Sequence, residues 1–129
     1  LLTKYTGAQT RPDYGILVYP VISAKYECVK TMDKLLGEAI NDPLAAASWS
    51  CENNVTSDTP PTMLILCGDD TTVSPSNSKD FYEALISAGV KSQLHILSNG
   101  GHGFWMRDRF RYDVGTYHNM TDWIRNWNK

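Results

Sequence analysis

No apolar run in this sequence is long enough to cross a membrane. The longest apolar stretches are residues 15–22 and 63–67, whereas a membrane-spanning helix needs about 20 consecutive apolar residues. Both stretches are typical of buried strands, so we expect no membrane partner. No targeting signal is visible ahead of them. The cellular location is therefore open, with periplasmic, secreted and cytoplasmic locations as alternatives.

The sequence also lacks an excess of positive charge. The 12 Lys and Arg residues are outnumbered by 14 Asp and Glu residues, the net charge is −2 at pH 7, and no basic run occurs. Nucleic acids and anionic membrane surfaces attract proteins through concentrated positive charge. We therefore expect no nucleic acid partner. With 42% hydrophobic and 20% charged residues over 129 positions, the composition is that of one ordinary globular domain.

Cysteine is rare and is not arranged as a metal site. The three cysteines, Cys28, Cys51 and Cys67, lack the spacing of metal ligands, so we expect no bound metal. Cys67 lies inside an apolar stretch, where a thiol is buried and inert. A Cys28–Cys51 disulfide stays open as an alternative, because nothing in the sequence defines the redox compartment.

What the sequence does contain is an alternation of strand and helix patterns. Residues 14–21, 63–67 and 93–97 predict strands, and the first two are nearly continuous apolar runs, as in parallel strands covered on both faces. Helices are expected over residues 33–40 and 44–49, between Pro75 and Gly89, and from Asp113 onward. This order predicts an α/β fold with a parallel sheet of about three strands and helices on its faces.

Local signals define the helix ends and faces. Asp42 followed by Pro43 is a typical helix start. Residues 1–9 resemble the last turn of a helix closed by Gly7, so we expect the chain to begin within a structural element. The last helix shows an apolar stripe made of Val114, Tyr117, Met120, Ile124 and Trp127.

Two loops carry the candidate chemistry. Asp70 follows the strand predicted over residues 63–67, and His102 lies between glycines directly after the strand predicted over residues 93–97. The carboxyl ends of parallel strands meet at one edge of a sheet, so the two side chains are expected to lie close together. An aspartate that accepts a hydrogen bond from one imidazole nitrogen leaves the other as a general base. The pair therefore predicts half of a catalytic triad, with Asp69 as the competing acid or, alternatively, a turn residue.

Short motifs in a fixed order support this interpretation. They are YPVI at 19–22, DTPP at 58–61, CGDDTTVSP at 67–75, FYEAL at 81–85, LHI at 94–96 and GGHGF at 100–104. Together they resemble the acid and histidine segments of α/β-hydrolases, and in particular the esterase branch that contains acetylxylan esterases and related carbohydrate esterases. The resemblance covers nearly the whole chain.

The resemblance implies a serine esterase that hydrolyses acyl esters, including acetyl esters of a carbohydrate such as xylan, without a metal or an organic cofactor. Asp70 takes the place of the triad acid, since it stands three residues before Val73 as the family pattern requires, and His102 takes the place of the base. The nucleophile is missing, because no Gly-x-Ser-x-Gly motif occurs in the 129 residues. The chain thus resembles the C-terminal half of an α/β-hydrolase, a single partial domain over residues 1–129 that we expect to be inactive alone.

Other interpretations remain open. A dienelactone-hydrolase-like or peptidase-like enzyme is one alternative, and a non-catalytic α/β remnant or interaction module is another. In the family, the strand at residues 14–21 pairs with a strand from the missing half. We therefore expect an unpaired apolar edge, and with it a homodimer or association with an N-terminal half. The small-molecule partner expected from the resemblance is an acyl ester or acylated oligosaccharide.

The remaining aromatic and histidine residues have simpler expected roles. Phe104 and Trp105 follow the histidine loop and are candidates for lining the substrate pocket, with core packing as the alternative. His95 is expected to pack within a strand, His118 to be solvated, and Trp123 to pack the last helix onto the sheet.

Overall fold

A three-stranded parallel sheet organises the chain. The computed structural model describes residues 2–26, 29–107 and 113–126. The strands are β1 (Gly15–Val18), β2 (Thr62–Cys67) and β3 (Ser92–Leu97), and they lie side by side in that order. The helices are α1 (Val29–Leu36), α2 (Pro43–Trp49), α3 (Ser76–Ser87), α4 (Phe104–Arg107) and α5 (Asp113–Asn126), with short 3-10 helices at Gly37–Asn41 and Cys51–Asn54. The predicted α/β architecture is confirmed.

The central strand β2 is buried along its whole length. It pairs in parallel with β1 and β3, and Leu64 stands opposite Leu17 on one side and Leu94 on the other. Because both faces of β2 are covered, its residues need no alternation of polar and apolar side chains. This explains the unbroken apolar run in the sequence.

Each face of the sheet carries its own hydrophobic cluster. The cluster on the α3 face consists of Ile22, Leu64, Phe81, Leu85 and Val90. The cluster on the α5 face consists of Met63, Ile65, Cys67, Phe104 and Trp123. Full burial of such a side chain stabilises the fold by about 1.5–3 kcal/mol. The two clusters therefore hold the strand ends, and the loops that follow them, in fixed positions.

Strand β1 is shorter than residues 14–21, so the predicted extent is wrong at its carboxyl end. Tyr19 has a φ of 42°, a left-handed conformation that turns the chain out of the strand, and Pro20 follows it without an amide hydrogen. The segment beyond the turn is held by buried Asn77, whose Oδ1 accepts from the amides of Ile22 at 3.0 Å and Ser23 at 2.9 Å.

Two helix predictions hold in detail and one shifts. The Asp42 side chain accepts from the Leu44 amide at 2.9 Å and starts α2, as predicted. Helix α3 ends before Gly89, which has a φ of 72°. The helix predicted over residues 33–40 instead begins at Val29 and gives way to a 3-10 helix at Gly37, whose φ of 55° ends the α-helical conformation.

Two further predictions are wrong. In the apolar stripe expected on α5, Tyr117 and Ile124 are 59% and 43% exposed, whereas Thr116 and Trp123 are buried and Met120 packs on the sheet. The helix therefore turns a different face to the sheet than the predicted stripe. The side chains of Val114 and Trp127, which also belong to that stripe, lie outside the described residues.

The helical turn predicted over residues 1–9 is not found in the part of that segment that the structure describes. Residues 2–9 are non-helical. The Leu2 side chain packs on β1 so closely that a Cβ added to Gly15 would lie only 2.6 Å from Leu2 Cδ1.

Two other expectations concern a disulfide and membrane-spanning segments. Cys28 lies outside the described residues, and with it the Cys28–Cys51 alternative. Among the described helices, none combines the length and the apolar character that crossing a membrane requires.

Candidate active site

The structure brings Asp70 and His102 into contact. Asp70 lies three residues after β2 and His102 lies in the loop after β3, so both occupy the carboxyl edge of the sheet. Asp70 Oδ2 and His102 Nδ1 are 2.9 Å apart. The Asp70 side chain is 1% exposed and the His102 side chain is 28% exposed. A buried carboxylate therefore holds a ring that still reaches the surface.

The carboxylate of Asp70 is itself held by the backbone. Its Oδ1 accepts hydrogen bonds from the amides of Thr72 and Val73, both at 2.9 Å. This arrangement requires the aspartate to stand two and three residues before the donors, which is the physical meaning of the Asp-x-x-Val spacing. With Oδ1 engaged by the backbone, Oδ2 is directed at the imidazole.

The bond to Nδ1 determines which histidine nitrogen is available for proton transfer. A carboxylate only accepts hydrogen bonds, so Nδ1 carries the proton in the neutral ring and Nε2 has the free lone pair. An imidazole in this tautomer accepts a proton at Nε2, and the carboxylate stabilises the imidazolium that results. The pair can act as the base and acid members of a triad.

The sequence alone assigned no role to Tyr19, whose ring lies against His102 in the structure. Its ring meets that of His102 edge to face, with centroids 4.8 Å apart, and that of Phe104 with centroids 5.5 Å apart. The residue follows β1 at the same sheet edge as Asp70 and His102. An aromatic residue directly after a parallel strand was the signal that could have found it.

The two predicted pocket residues differ in position. Phe104 is 1% exposed and belongs to the cluster on the α5 face, where its ring contacts the Tyr19 ring edge to face. Trp105 is half-buried and packs at the edge of that cluster. Of the two, Trp105 is the one with surface to offer a ligand.

Asp69, the competing candidate for the triad acid, contacts the backbone of the histidine loop and not the His102 ring. Its carboxylate accepts from the backbone amides of Gly100 at 3.1 Å and Gly101 at 2.9 Å. The consecutive aspartates thus contact different parts of the histidine loop, Asp69 its backbone and Asp70 its ring.

Two buried nucleophilic side chains, Cys67 and Ser23, are not activated. The Cys67 thiol is fully buried, and burial, together with the charges of Asp69 and Asp70, raises its pKa to about 11. A neutral thiol is a poor nucleophile. Ser23, also fully buried, donates to Glu52 Oε1 at 2.5 Å, a pairing with no histidine base.

A separate cluster of charges lies around Asp80 on α3. The Lys25 ammonium and the Tyr26 hydroxyl both bond to Asp80 Oδ2. Although burial opposes ionisation, these hydrogen bonds lower the pKa of Asp80, and the bond to Asp80 raises the pKa of Lys25. The cluster anchors the segment after β1 to α3 and touches neither Asp70 nor His102.

The two remaining histidines lie away from the pair. His95, within β3, contacts Gln93 Oε1 at 3.2 Å, and His118 is exposed on α5 beside Asp122 at 3.4 Å. Trp123 is buried beneath α5. These positions agree with the packing and solvated roles expected for them.

Comparison with known proteins places this geometry in context. The model of the prolyl oligopeptidase family matches residues 24–129. The acetylxylan esterase of Xylanibacter ruminicola is 32% identical over 133 residues, which cover 97% of this chain and 27% of the relative.

Solved structures give the same picture. The acetyl ester-xyloside bifunctional hydrolase of Caldicellulosiruptor lactoaceticus is 36% identical with a TM-score of 0.80, covering 90% of this chain and 43% of that one. The acylaminoacyl peptidase of Pyrococcus horikoshii, at 20% identity and a TM-score of 0.74, covers 96% of this chain and 20% of that one, and shows the fold alone. The chain therefore has the α/β-hydrolase fold, and it spans 27% of the curated relative and between 20% and 50% of these and similar solved structures.

Proposed function

This chain belongs to the prolyl oligopeptidase family, and we propose that it supplies the acid and the histidine of a serine hydrolase that cleaves acyl esters. The observation that carries the proposal is the 2.9 Å contact between Asp70 Oδ2 and His102 Nδ1 at the carboxyl edge of a parallel sheet. Enzymes of this architecture place their reactive groups at that edge.

In the proposed reaction, His102 Nε2 removes the proton from a serine hydroxyl as the serine oxygen attacks the acyl carbon. The imidazolium then gives this proton to the departing alcohol, which leaves an acyl-serine. His102 next takes a proton from water, whose oxygen attacks the acyl group, and returns a proton to the serine as the carboxylic acid departs. Asp70 holds the ring in its tautomer throughout.

The proposed substrates are acyl esters of carbohydrates, including acetyl groups on xylan. The names of two relatives, an acetylxylan esterase and an acetyl ester-xyloside bifunctional hydrolase, support this class. Trp105, half-buried beside the histidine loop, is the proposed pocket residue. Peptide substrates are the alternative, favoured only by the description of the family.

We further propose that the nucleophile comes from an N-terminal half outside these 129 residues. Among the described strands β1 pairs only with β2. Beside β1 lies a largely apolar groove of about 210 Å³, lined in part by Leu2, Leu17, Val21 and Phe81. An unpaired strand edge beside apolar side chains suits a further strand. Without that half, chains are expected to pair through the same surface.

The decisive experiment compares substrates and chain lengths. The gene sequence preceding Leu1 should encode Gly-x-Ser-x-Gly, and the protein that includes it should hydrolyse acetyl esters of 4-nitrophenol and of xylo-oligosaccharides. A serine-directed phosphonate should label that protein once and the 129-residue chain not at all. Hydrolysis of peptides without acetyl esters, or stoichiometric labelling of the 129 residues alone, would contradict the proposal. Light scattering of the isolated chain tests association, which a clean monomer would exclude.

A further inference from the structure

Asp69 makes a two-point contact with the backbone that carries His102. Its Oδ2 accepts from the Gly100 amide at 3.1 Å and its Oδ1 from the Gly101 amide at 2.9 Å. Hydrogen bonds to a charged acceptor are stronger than those between neutral groups. Two parallel bonds to consecutive amides also define the orientation of the peptide, because a single bond would leave it free to rotate.

The loop it binds has little means of holding its own shape. Gly100, Gly101 and Gly103 have φ values of 142°, 62° and 74°, which side-chain-bearing residues rarely adopt. A Cβ added to Gly101 would have no neighbour within 4 Å. Glycines lose more conformational entropy on folding than other residues, so this segment needs bonds from outside to stay ordered.

Besides the contact between Asp70 and the His102 ring, two further contacts tie the two loops together at their base. The Gly68 amide donates to the Leu97 carbonyl at 2.8 Å, and the Cys67 thiol donates to the Asn99 carbonyl at 3.4 Å. Both contacts precede Gly100 in the histidine loop. The bonds from Asp69 reach further along the loop, to the residue next to His102.

We propose that Asp69 is a positioning residue, which holds the backbone on the N-terminal side of His102 so that Nδ1 meets Asp70. Adjacent carboxylates then divide the task, Asp70 orienting the ring and Asp69 the peptide that bears it. The catalytic meaning of this inference rests on the proposed function. The positioning itself is a property of the 129-residue chain.

The test uses Asp69→Asn and Asp69→Ala in this chain, with Asp58→Asn as the matched control. Asp58 is an exposed aspartate whose backbone carbonyl, not its carboxylate, accepts the bonds from Tyr5 and Arg11. Amide hydrogen exchange at Gly100 and Gly101 should accelerate at least tenfold in Asp69→Ala and less in Asp69→Asn, which keeps one acceptor oxygen. The Gly68 amide, bonded to the base of the loop, should be unchanged.

The second measurement is the His102 tautomer, read from the ¹⁵N shifts of its ring at a pH where it is neutral. A mixture of tautomers in Asp69→Ala, with Nδ1–H retained in Asp58→Asn, is the expected result. Unchanged exchange and an unchanged tautomer would overturn the proposal. So would equal exchange of Gly7 and Gly101 in the wild-type chain, where we expect Gly101 to be at least tenfold slower, and that comparison needs no variant.

These readouts separate the inference from the proposed function. If the tautomer responds to Asp69→Ala while the longer protein hydrolyses no ester, only the proposed function fails. If ester hydrolysis is present but exchange and tautomer ignore Asp69, only the positioning role fails. If the positioning role and the proposed function are both correct, Asp69→Asn lowers kcat more than it changes KM, because the defect lies in proton transfer and not in substrate binding.

Discussion

The substitution Asp70→Asn tests the contact between Asp70 and His102. It is a minimal perturbation, because it replaces one carboxylate oxygen by an NH₂ group. Two orientations of the new carboxamide are possible. If its NH₂ faced the Thr72 and Val73 amides, two donor–donor contacts would replace two bonds of 2.9 Å. If its NH₂ faces His102, only one contact changes, so this orientation is favoured. The carboxamide is thereby predicted to direct a donor at Nδ1.

The consequence falls on the histidine tautomer. Facing a donor, Nδ1 must accept, and the ring proton moves to Nε2, the nitrogen that has to receive the proton of serine. Loss of the correct tautomer in a Ser–His–Asp triad costs about 10⁴ in kcat. At 1.36 kcal/mol per factor of ten, this corresponds to about 5.4 kcal/mol of transition-state stabilisation. Stability should change far less, because the backbone bonds to Oδ1 persist.

Two assays check this reasoning. Ring ¹⁵N shifts of His102 in the 129-residue chain should report a proton on Nδ1 in the wild type and on Nε2 in Asp70→Asn. Acetyl ester hydrolysis by the longer protein should fall by about four orders of magnitude. Asp70→Ala serves as the contrast, since it leaves two amides without an acceptor at about 1–3 kcal/mol each. A variant Asp70→Asn that keeps its proton on Nδ1 would refute the argument.

Three further predictions follow from the core and the charged cluster. Cys67 should resist iodoacetamide in the folded chain at pH 8 and react on unfolding, because its pKa is about 11; rapid native labelling would contradict its burial. Leu85→Ala should destabilise the chain by about 2–5 kcal/mol and the neighbouring, exposed Ile86→Ala by under about 0.5 kcal/mol, measured by urea unfolding. Asp80→Asn should cost about 1 kcal/mol near neutral pH. Because the pKa of Asp80 is lowered and that of Lys25 is raised in the folded chain, this cost should fade as pH drops below about 4 and persist to about pH 10. A cost that stays constant down to pH 2 would refute the ion pair.

The amino-acid pattern determined the number and order of strands, the start of α2 and the end of α3, because these depend on local chemistry. The apolar run at β2, the Asp42 cap of α2 and the glycine that closes α3 act within a few residues of where they stand. The same holds for Asp70, whose spacing to Val73 is a local hydrogen-bond requirement. The Asp70–His102 pair could be predicted because parallel topology alone brings their loops to one edge.

Tertiary structure decided what depends on contacts between distant segments. The left-handed turn at Tyr19 shortens β1 and places its ring on His102, and no local pattern specifies that conformation for a tyrosine. The rotation of α5, which buries Thr116 and Trp123 instead of Tyr117 and Ile124, follows from the shape of the sheet beneath it.

The division of labour between Asp69 and Asp70 likewise depended on the histidine loop, which lies about 30 residues away in the sequence. Sequence spacing favoured Asp70 as the acid. Only the folded loop showed that Asp69 has a partner of its own, because a backbone amide carries no signature in the sequence.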